Sequence, residues 1–423
     1  MFKFLMKGIL RDKSRTLYPL ITISMGVMLI VFMWCWANGA MSGMVDKTAS
    51  LDLGHMKIVT RAYEEIIDQK PYDLCLTDVD ELLVELKQKY PGIKFKPRTN
   101  FGGLLDVPDE NGQTKAQGDF IGIAMNLLND PDEIETFSLK DAMVMGHLPK
   151  KSDEILISNV IFEKFELKLN DTVSIITSTM YGSMSIRNYK VAGTVRFGVK
   201  ALDRGAVLID NSAIADLLDM ENASSEIFCF LPEMEYSRRD AEKIKTSFNA
   251  EFTDVDNEFS PYMRTMNDDA TMGYMMKMTN TSIMFMNFGL MIMVAIVLWN
   301  SGLLNNIRRY GEMGVRLAMG ESKGHIYRSI VKESILIGIL GSVIGTLLGL
   351  AISLYLQYHP VDISHYMNNS SIMMGNEYAA KIDGISLFIG FIPGVLASIL
   401  GSMLAGRGIY KRQTAQLFKE MEK

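Results

Sequence analysis

Four stretches of the chain run without a charged residue, Leu17 to Ala37, Met278 to Asn306, Ser334 to Tyr358 and Ile385 to Gly406, with lengths of 21, 29, 25 and 22 residues. A helix needs roughly 20 apolar residues to cross a bilayer, so this pattern predicts four transmembrane helices. Between the first two the texture changes. From Leu51 to about Lys277, short β-rich runs alternate with amphipathic stretches, which predicts a mixed α and β fold. Thr77 is placed to cap a helix to Tyr90 that carries Leu82, Leu83 and Leu86 on one face, and Pro91-Gly92 ends it before a strand at Ile93 to Lys96. Ala206 to Ile209 reads as a strand, Asn211 or Ser212 as the cap of a helix with Ile214, Leu217 and Leu218, and Glu226 to Phe230 as another strand. Ser237-x-x-Asp240 opens a helix that buries Ala241, Ile244 and Phe248. These are two β-α-β halves of one split unit. A β-rich insertion separates them over about 111–205, with strands at Glu154 to Ser158, Thr172 to Ile176 and Ser185 to Val195.

The expected fold class is therefore an α-helical membrane protein with four transmembrane helices and a large extracytoplasmic α+β domain between helices 1 and 2. Its segments are a tail and helix 1 (1–40), the extracytoplasmic domain (41–277), helix 2 (278–306), an inside loop (307–333), helix 3 (334–358), an outside loop (359–384), helix 4 (385–406) and a tail (407–423). Charge sets the orientation. The two tails and the 307–333 loop hold 16 Lys and Arg against 6 Asp and Glu, whereas the 41–277 segment holds 26 against 40. Basic residues stay in the cytoplasm, so both termini are expected inside, with the large acidic domain in the periplasm of a bacterial inner membrane. The first apolar run exceeds the 7 to 15 residues of a signal-peptide core and carries Tyr18, Trp34 and Trp36 near its ends, so a retained anchor is expected in place of a cleaved signal.

The chemistry of the chain excludes more than it offers. His55 and His147 are isolated in sequence, and neither a His-Glu-x-x-His nor a Gly-x-Ser-x-Gly motif occurs, so an exported enzyme is not expected. The apolar runs lack Asp, Glu, Lys, Arg and His, which leaves a proton relay or ion pathway without residues. Nor is there a phosphate-binding Gly-x-x-x-x-Gly-Lys-Ser/Thr loop. Cys75 and Cys229, 154 positions apart, show no disulfide framework and are expected as two buried thiols. Small residues recur every fourth position at Gly341, Gly345 and Gly349 and at Gly390, Gly394 and Ser398, a pattern that lets helices approach closely. Pro393 is expected to kink the fourth span. The second span is rich in methionine, which suits irregular packing, an adaptable apolar surface or a soft metal.

The 307–333 loop holds the most distinctive sequence. Its Arg308 to Ala318 part is compatible with a helix, Glu312 and Arg316 stand one turn apart as a supporting pair, and Gly320 ends that helix before another begins at Ser322. The run Arg-Arg-Tyr-Gly-Glu-Met-Gly-Val-Arg-Leu-Ala-Met-Gly-Glu-Ser, from Arg308 to Ser322, resembles the signature of FtsX-like or MacB-type ABC permeases, and so does the order of one span, a large domain and three spans. The stretches Asp153 to Ser158, Leu167 to Val173 and Tyr189 to Thr194 resemble that family's outer domain, while the Tyr410 to Phe418 tail departs from it.

The resemblance implies a non-catalytic permease subunit that binds a cytoplasmic ABC ATPase dimer through Arg309, Glu312, Gly314, Arg316, Ala318, Gly320 and Ser322. No cofactor is implied in this chain; ATP and Mg belong to the ATPase, expected on separate subunits and not fused to the N-terminus as in MacB. A second permease copy or a paralogue completes the complex. The layout is nearest the lipoprotein-releasing (LolC/LolE) branch, which implies a lipoprotein, lipid or lipophilic peptide as substrate, a cavity lined by Met28, Phe32, Met284, Phe285, Phe288 and Met291, and a periplasmic acceptor. Nucleic acid is not among the implied partners. Efflux of peptides or drugs, or activation of an exported cell-wall hydrolase by mechanical transmission, are the alternatives.

Overall fold

The computed structural model describes residues 13–109, 112–307, 310–362 and 377–411, in two compact units. The apolar runs become long helices, Lys13–Thr48, Ala270–Ile307 and Lys323–Tyr358, each long and apolar enough to cross a membrane, and a shorter one at Phe391–Lys411. The last helix begins six residues later than the sequence pattern suggests. Residues 385–390 run as turns, because the Asp383 carboxylate accepts the Ser386 N–H at 2.8 Å and the Trp34 Nε1–H at 2.9 Å. Pro393 thus falls in the first helical turn, where its missing N–H is not needed, and does not kink the interior as expected.

The α+β unit is built on ten strands: β1 (Met56–Thr60), β2 (Lys94–Pro108), β3 (Thr114–Met125), β4 (Met143–Gly146), β5 (Glu154–Ser158), β6 (Thr172–Ser178), β7 (Met184–Val195), β8 (Ala206–Asp210), β9 (Glu226–Phe230) and β10 (Pro261–Thr265). Four of them, in the order β10-β1-β9-β2 and antiparallel throughout, form the split β-α-β unit, with its fourth, first, third and second strands side by side. Its helices Val79–Lys89 and Arg238–Phe252 cover one face over Met56, Ile58, Leu86, Phe95, Cys229 and Phe248. Ser237 caps the second helix by accepting the Asp240 N–H, as its spacing suggests. The first starts at Asp78 and not at Thr77, because Asn222 reaches in to accept from Val79 N and Asp80 N. That acceptor lies far along the chain.

The second half of β2 leaves this sheet and enters another. It pairs with β3, β3 with β8, β8 with β5, β5 with β7, β7 with β6, and β6 again with β2, so six strands close into a ring. Alternate residues, among them Phe101, Leu105, Phe120, Ile155, Val173 and Val191, fill the inside. The short helices Pro131–Thr136, Leu139–Ala142 and Lys200–Gly205 bring Phe137, Leu139 and Leu202 against the outside of β3, β5 and β8, on Ile123, Leu156 and Leu208. The β-rich part is therefore larger than the 111–205 insertion expected, since it takes in half of β2 and all of β8. Closure removes the edges that an open insert would expose.

Cys75 and Cys229 are buried and unbridged, and burial pushes the Cys75 thiol up to about 11. His55 is also buried. Its Nδ1 accepts the Leu231 N–H at 3.0 Å, and its ring packs on Phe230 and Tyr236, so burial lowers its pKa to about 4. An unfolded histidine titrates near 6.5, so the unfolded chain binds the extra proton first as pH falls. Stability of the α+β unit is therefore complete above about pH 6.5 and declines below it, by roughly 3 kcal/mol at pH 4. Urea unfolding of the detergent-solubilised chain between pH 8 and pH 4 will show this slope, and His55→Asn, which keeps an acceptor without titrating, will flatten it.

Candidate functional site

The loop between the second and third long helices folds as a helical hairpin. Its short helix, Tyr310–Ala318, turns Met313 and Leu317 against Ile326 and Ile330 of the Lys323–Tyr358 helix, and Met313 and Ile326 are fully enclosed. Gly320 stops the helix at φ +95, a left-handed conformation that favours glycine, while its N–H donates to the Leu317 carbonyl at 3.0 Å and the Glu321 N–H to that of Arg316 at 3.1 Å. Ser322 then caps the next helix by accepting the His325 N–H at 3.4 Å. The turn is thus fixed by local hydrogen bonds at both ends.

Arg316 does not form the ion pair expected with Glu312. It forks onto Glu321 at 2.7 and 2.9 Å, because the Gly320 turn swings that carboxylate back alongside the guanidinium. Both side chains are partly exposed, so the pair fixes the shape of the turn more than it stabilises the fold. Of the other residues implied for ATPase contact, Gly314 is buried, Glu312 is half-buried, Ala318 and Gly320 are exposed, and Arg309 lies outside the described residues. The face opposite Met313 and Leu317 presents Val315 and Met319, the latter 75% exposed. Sequence reasoning passed over these two, although a four-residue period half a turn out of phase with Met313 and Leu317 marks them as the other side of the helix.

The small residues of the last two helices face other helices. A β-carbon on Gly341 would lie 2.7 Å from Ile23 Cγ2, on Gly345 2.5 Å from the Ser24 carbonyl oxygen, and on Gly349 2.9 Å from Val31 Cβ, all on the first helix. Gly390 and Gly394 face Val27 of that same helix, Gly394 also meets Ser342, and Ser398 donates to the Gly394 carbonyl at 2.6 Å while touching Gly338. Gly26, which the four-residue pattern does not include, brings the first helix against Val294 of the second.

The residues expected to line a cavity are not gathered into one. Met291 packs against the helical core, Met28 and Phe32 are half-buried, and Phe32 leans on Trp36 at 5.9 Å. Met284 (71%), Phe285 (72%) and Phe288 (54%) stand exposed on the second helix, which buries only a narrow stripe through Asn287, Val294 and Leu298. In this state they form an open apolar face.

Residues 284–414 match the family model described as FtsX-like permease C-terminal. Over 428 aligned positions, covering 94% of this chain and 59% of the relative, the sequence is 20% identical to the macrolide export ATP-binding/permease protein MacB of Neisseria gonorrhoeae. MacB of Neisseria meningitidis serogroup A matches to the same extent. The chain thus spans less than two thirds of the length of these curated relatives. Among solved structures, the periplasmic region of MacB from Actinobacillus actinomycetemcomitans aligns with 52% of this chain and 93% of its own length, at 11% identity and a TM-score of 0.35.

The seam generates a prediction. Gly345→Ala places a methyl group against a backbone oxygen that cannot yield, and is expected to cost about 1–3 kcal/mol of packing. Gly289→Ala, where the added carbon meets nothing within 4 Å, is expected to be neutral or slightly stabilising. Thermal unfolding of the two variants in one detergent compares them directly.

Proposed function

We propose that this chain is an FtsX-like permease of the MacB type and the membrane subunit of an ABC complex whose ATPase dimer, on separate cytoplasmic subunits carrying ATP and Mg, docks on the Tyr310–Ala318 hairpin. The observation that carries this reading is the hairpin's two-sidedness. One side is anchored through Met313 and Leu317 to the base of the third long helix, and the other holds an unpacked apolar edge of Val315, Ala318 and Met319 beside the Arg316–Glu321 fork. Such an edge on a short rigid helix suits a groove in a partner, and displacement of that partner is delivered directly to the helix beneath.

The transported substrate is amphipathic, and release of lipoproteins from the inner membrane is the reading we favour. The exposed Met284, Phe285 and Phe288 surface supports it, since flexible methionine and flat aromatic side chains adapt to acyl chains, and a second permease copy or a paralogue would close that surface into a cavity. A periplasmic acceptor would take the product. Peptide or drug efflux of the kind named for the MacB relatives is the second reading, on the strength of those matches.

Met319→Glu is expected to leave the protein folded in the membrane and to abolish co-purification of the ATPase. Glu312→Lys and Gly320→Pro are expected to retain membrane insertion while ATP hydrolysis in the reconstituted complex no longer moves substrate. Full ATPase binding by Met319→Glu, or transport unchanged in the other two, would remove the hairpin from the mechanism. Mass spectrometry of the mildly solubilised complex separates the two substrate readings by whether acylated protein co-elutes.

A further inference from the structure

The first long helix is continuous from Lys13 to Thr48, and the five residues after it, Ala49–Leu53, wind one π turn before Gly54, at φ +64, directs the chain into β1. The turn is buried at Ala49, Ser50 and Leu51. What holds it is a charge. Arg98, on β2, is 1% exposed, and its Nη1 donates to the Ser50 carbonyl oxygen at 2.7 Å while its Nε donates to Glu133 Oε1 at 2.6 Å. The guanidinium lies 4.4 Å from the ring of Phe228 and 4.8 Å from that of Phe137. Ser50 in turn donates its Oγ proton to the Thr136 carbonyl at 2.6 Å.

These partners come from different parts of the unit. Arg98 and Phe228 belong to the four-stranded half, whereas Glu133, Thr136 and Phe137 belong to the helix that covers the ring of six strands and to the residue after it. A buried ion pair is a poor device for stability alone, since apolar residues of similar size often serve as well or better. Its geometry here has a second purpose. Arg98 Nη2 and Glu133 Oε2 have no hydrogen-bond partner among the described residues, so the guanidinium forgoes the two-armed fork that an arginine and a carboxylate can make. One arm goes to the π turn instead.

We infer that Arg98 is a positioning residue that fastens Ala49–Leu53 to both halves of the α+β unit at once, so that a displacement of the helix preceding this turn moves the two halves as one body. This rests on the proposed function, because only an ATP-driven permease would put such a displacement to use. Arg98 touches no substrate in this reading. It acts by making the joint rigid.

The test uses the full chain reconstituted with its ATPase, and reads substrate moved per ATP hydrolysed, ATPase binding and the unfolding temperature. Arg98→Lys and Arg98→Met are expected to bind ATPase and hydrolyse ATP normally, yet to lower substrate moved per ATP by about tenfold. Wild-type coupling in either folded variant overturns the inference. A second arm does not depend on how well those variants fold. Ser50→Cys with Thr136→Cys sets a bridge between the π turn and the helix over the ring, beside the contact of Ser50 with the Thr136 carbonyl, and oxidation is expected to leave wild-type transport intact and, in the Arg98→Met background, to raise it in part until a reductant is added. Oxidation that arrests transport would mean that the joint must open, and would refute it. A wild-type complex that fails to couple at all would count against the proposed function and not against Arg98.

Discussion

Close backbone approach at the first long helix is the constraint on which the membrane unit depends. Lipid surrounding a helix bundle is as apolar as the helices themselves, so burial gains little and association must come from packing at short range. Gly341, Gly345 and Gly349 bring the third helix against Ile23, Ser24 and Val31, while Gly390 and Gly394 bring the fourth against Val27. Any side chain at these positions would hold the helices apart. The second helix is held along a narrower line: Gly26 of the first helix admits Val294 and Leu298, Gly401 of the fourth approaches the Trp299 carbonyl oxygen and Gly302, and most of its surface, including Ile292, Met293 and Ile296, remains open. The second helix is thus the one with the most apolar surface left exposed.

The short helix inherits its position from this arrangement. Met313 and Leu317 fix it to the first turns of the third helix, and the third helix in turn packs on the first through Gly341, Gly345 and Gly349. The short helix is therefore joined by packing to the same helix that carries the glycine seam. Rigidity at the turn comes from Gly320, from the Ser322 cap and from the Arg316–Glu321 fork, none of which needs a distant partner.

The α+β unit solves a different problem, that of joining two sheets through one strand. β2 is long enough to serve as the edge of the four-stranded half and as a member of the six-stranded ring. A shared strand alone would leave a hinge. Buried polar groups stiffen the region around it: Glu226 accepts from Lys57 at 2.9 Å, from Tyr63 at 2.8 Å and from Asn100 at 3.1 Å, and Arg98 links the strand to Glu133. Lys57, Glu226, Arg98 and Glu133 are all close to fully buried, where an unmet charge would be very costly, so each fixes the place of the others.

What the sequence determined by itself is what neighbouring residues can decide: the long apolar runs, the glycine period of the last two helices, the Ser237 and Ser322 caps, the Gly320 stop and the strands at Glu154, Thr172 and Glu226. Each depends on hydrogen bonds or side-chain periodicity within one or two turns of chain. Tertiary structure decided the rest, because the deciding partner lay far away. Asn222 moved a helix start to Asp78, Trp34 and Asp383 delayed the fourth helix past Gly390, β6 closed a ring by returning to β2, and Arg98 found Ser50 and Glu133. A local pattern states which face of an element is apolar. Which other element covers that face is set by packing and charge pairing across the whole chain, and only the folded arrangement contains it.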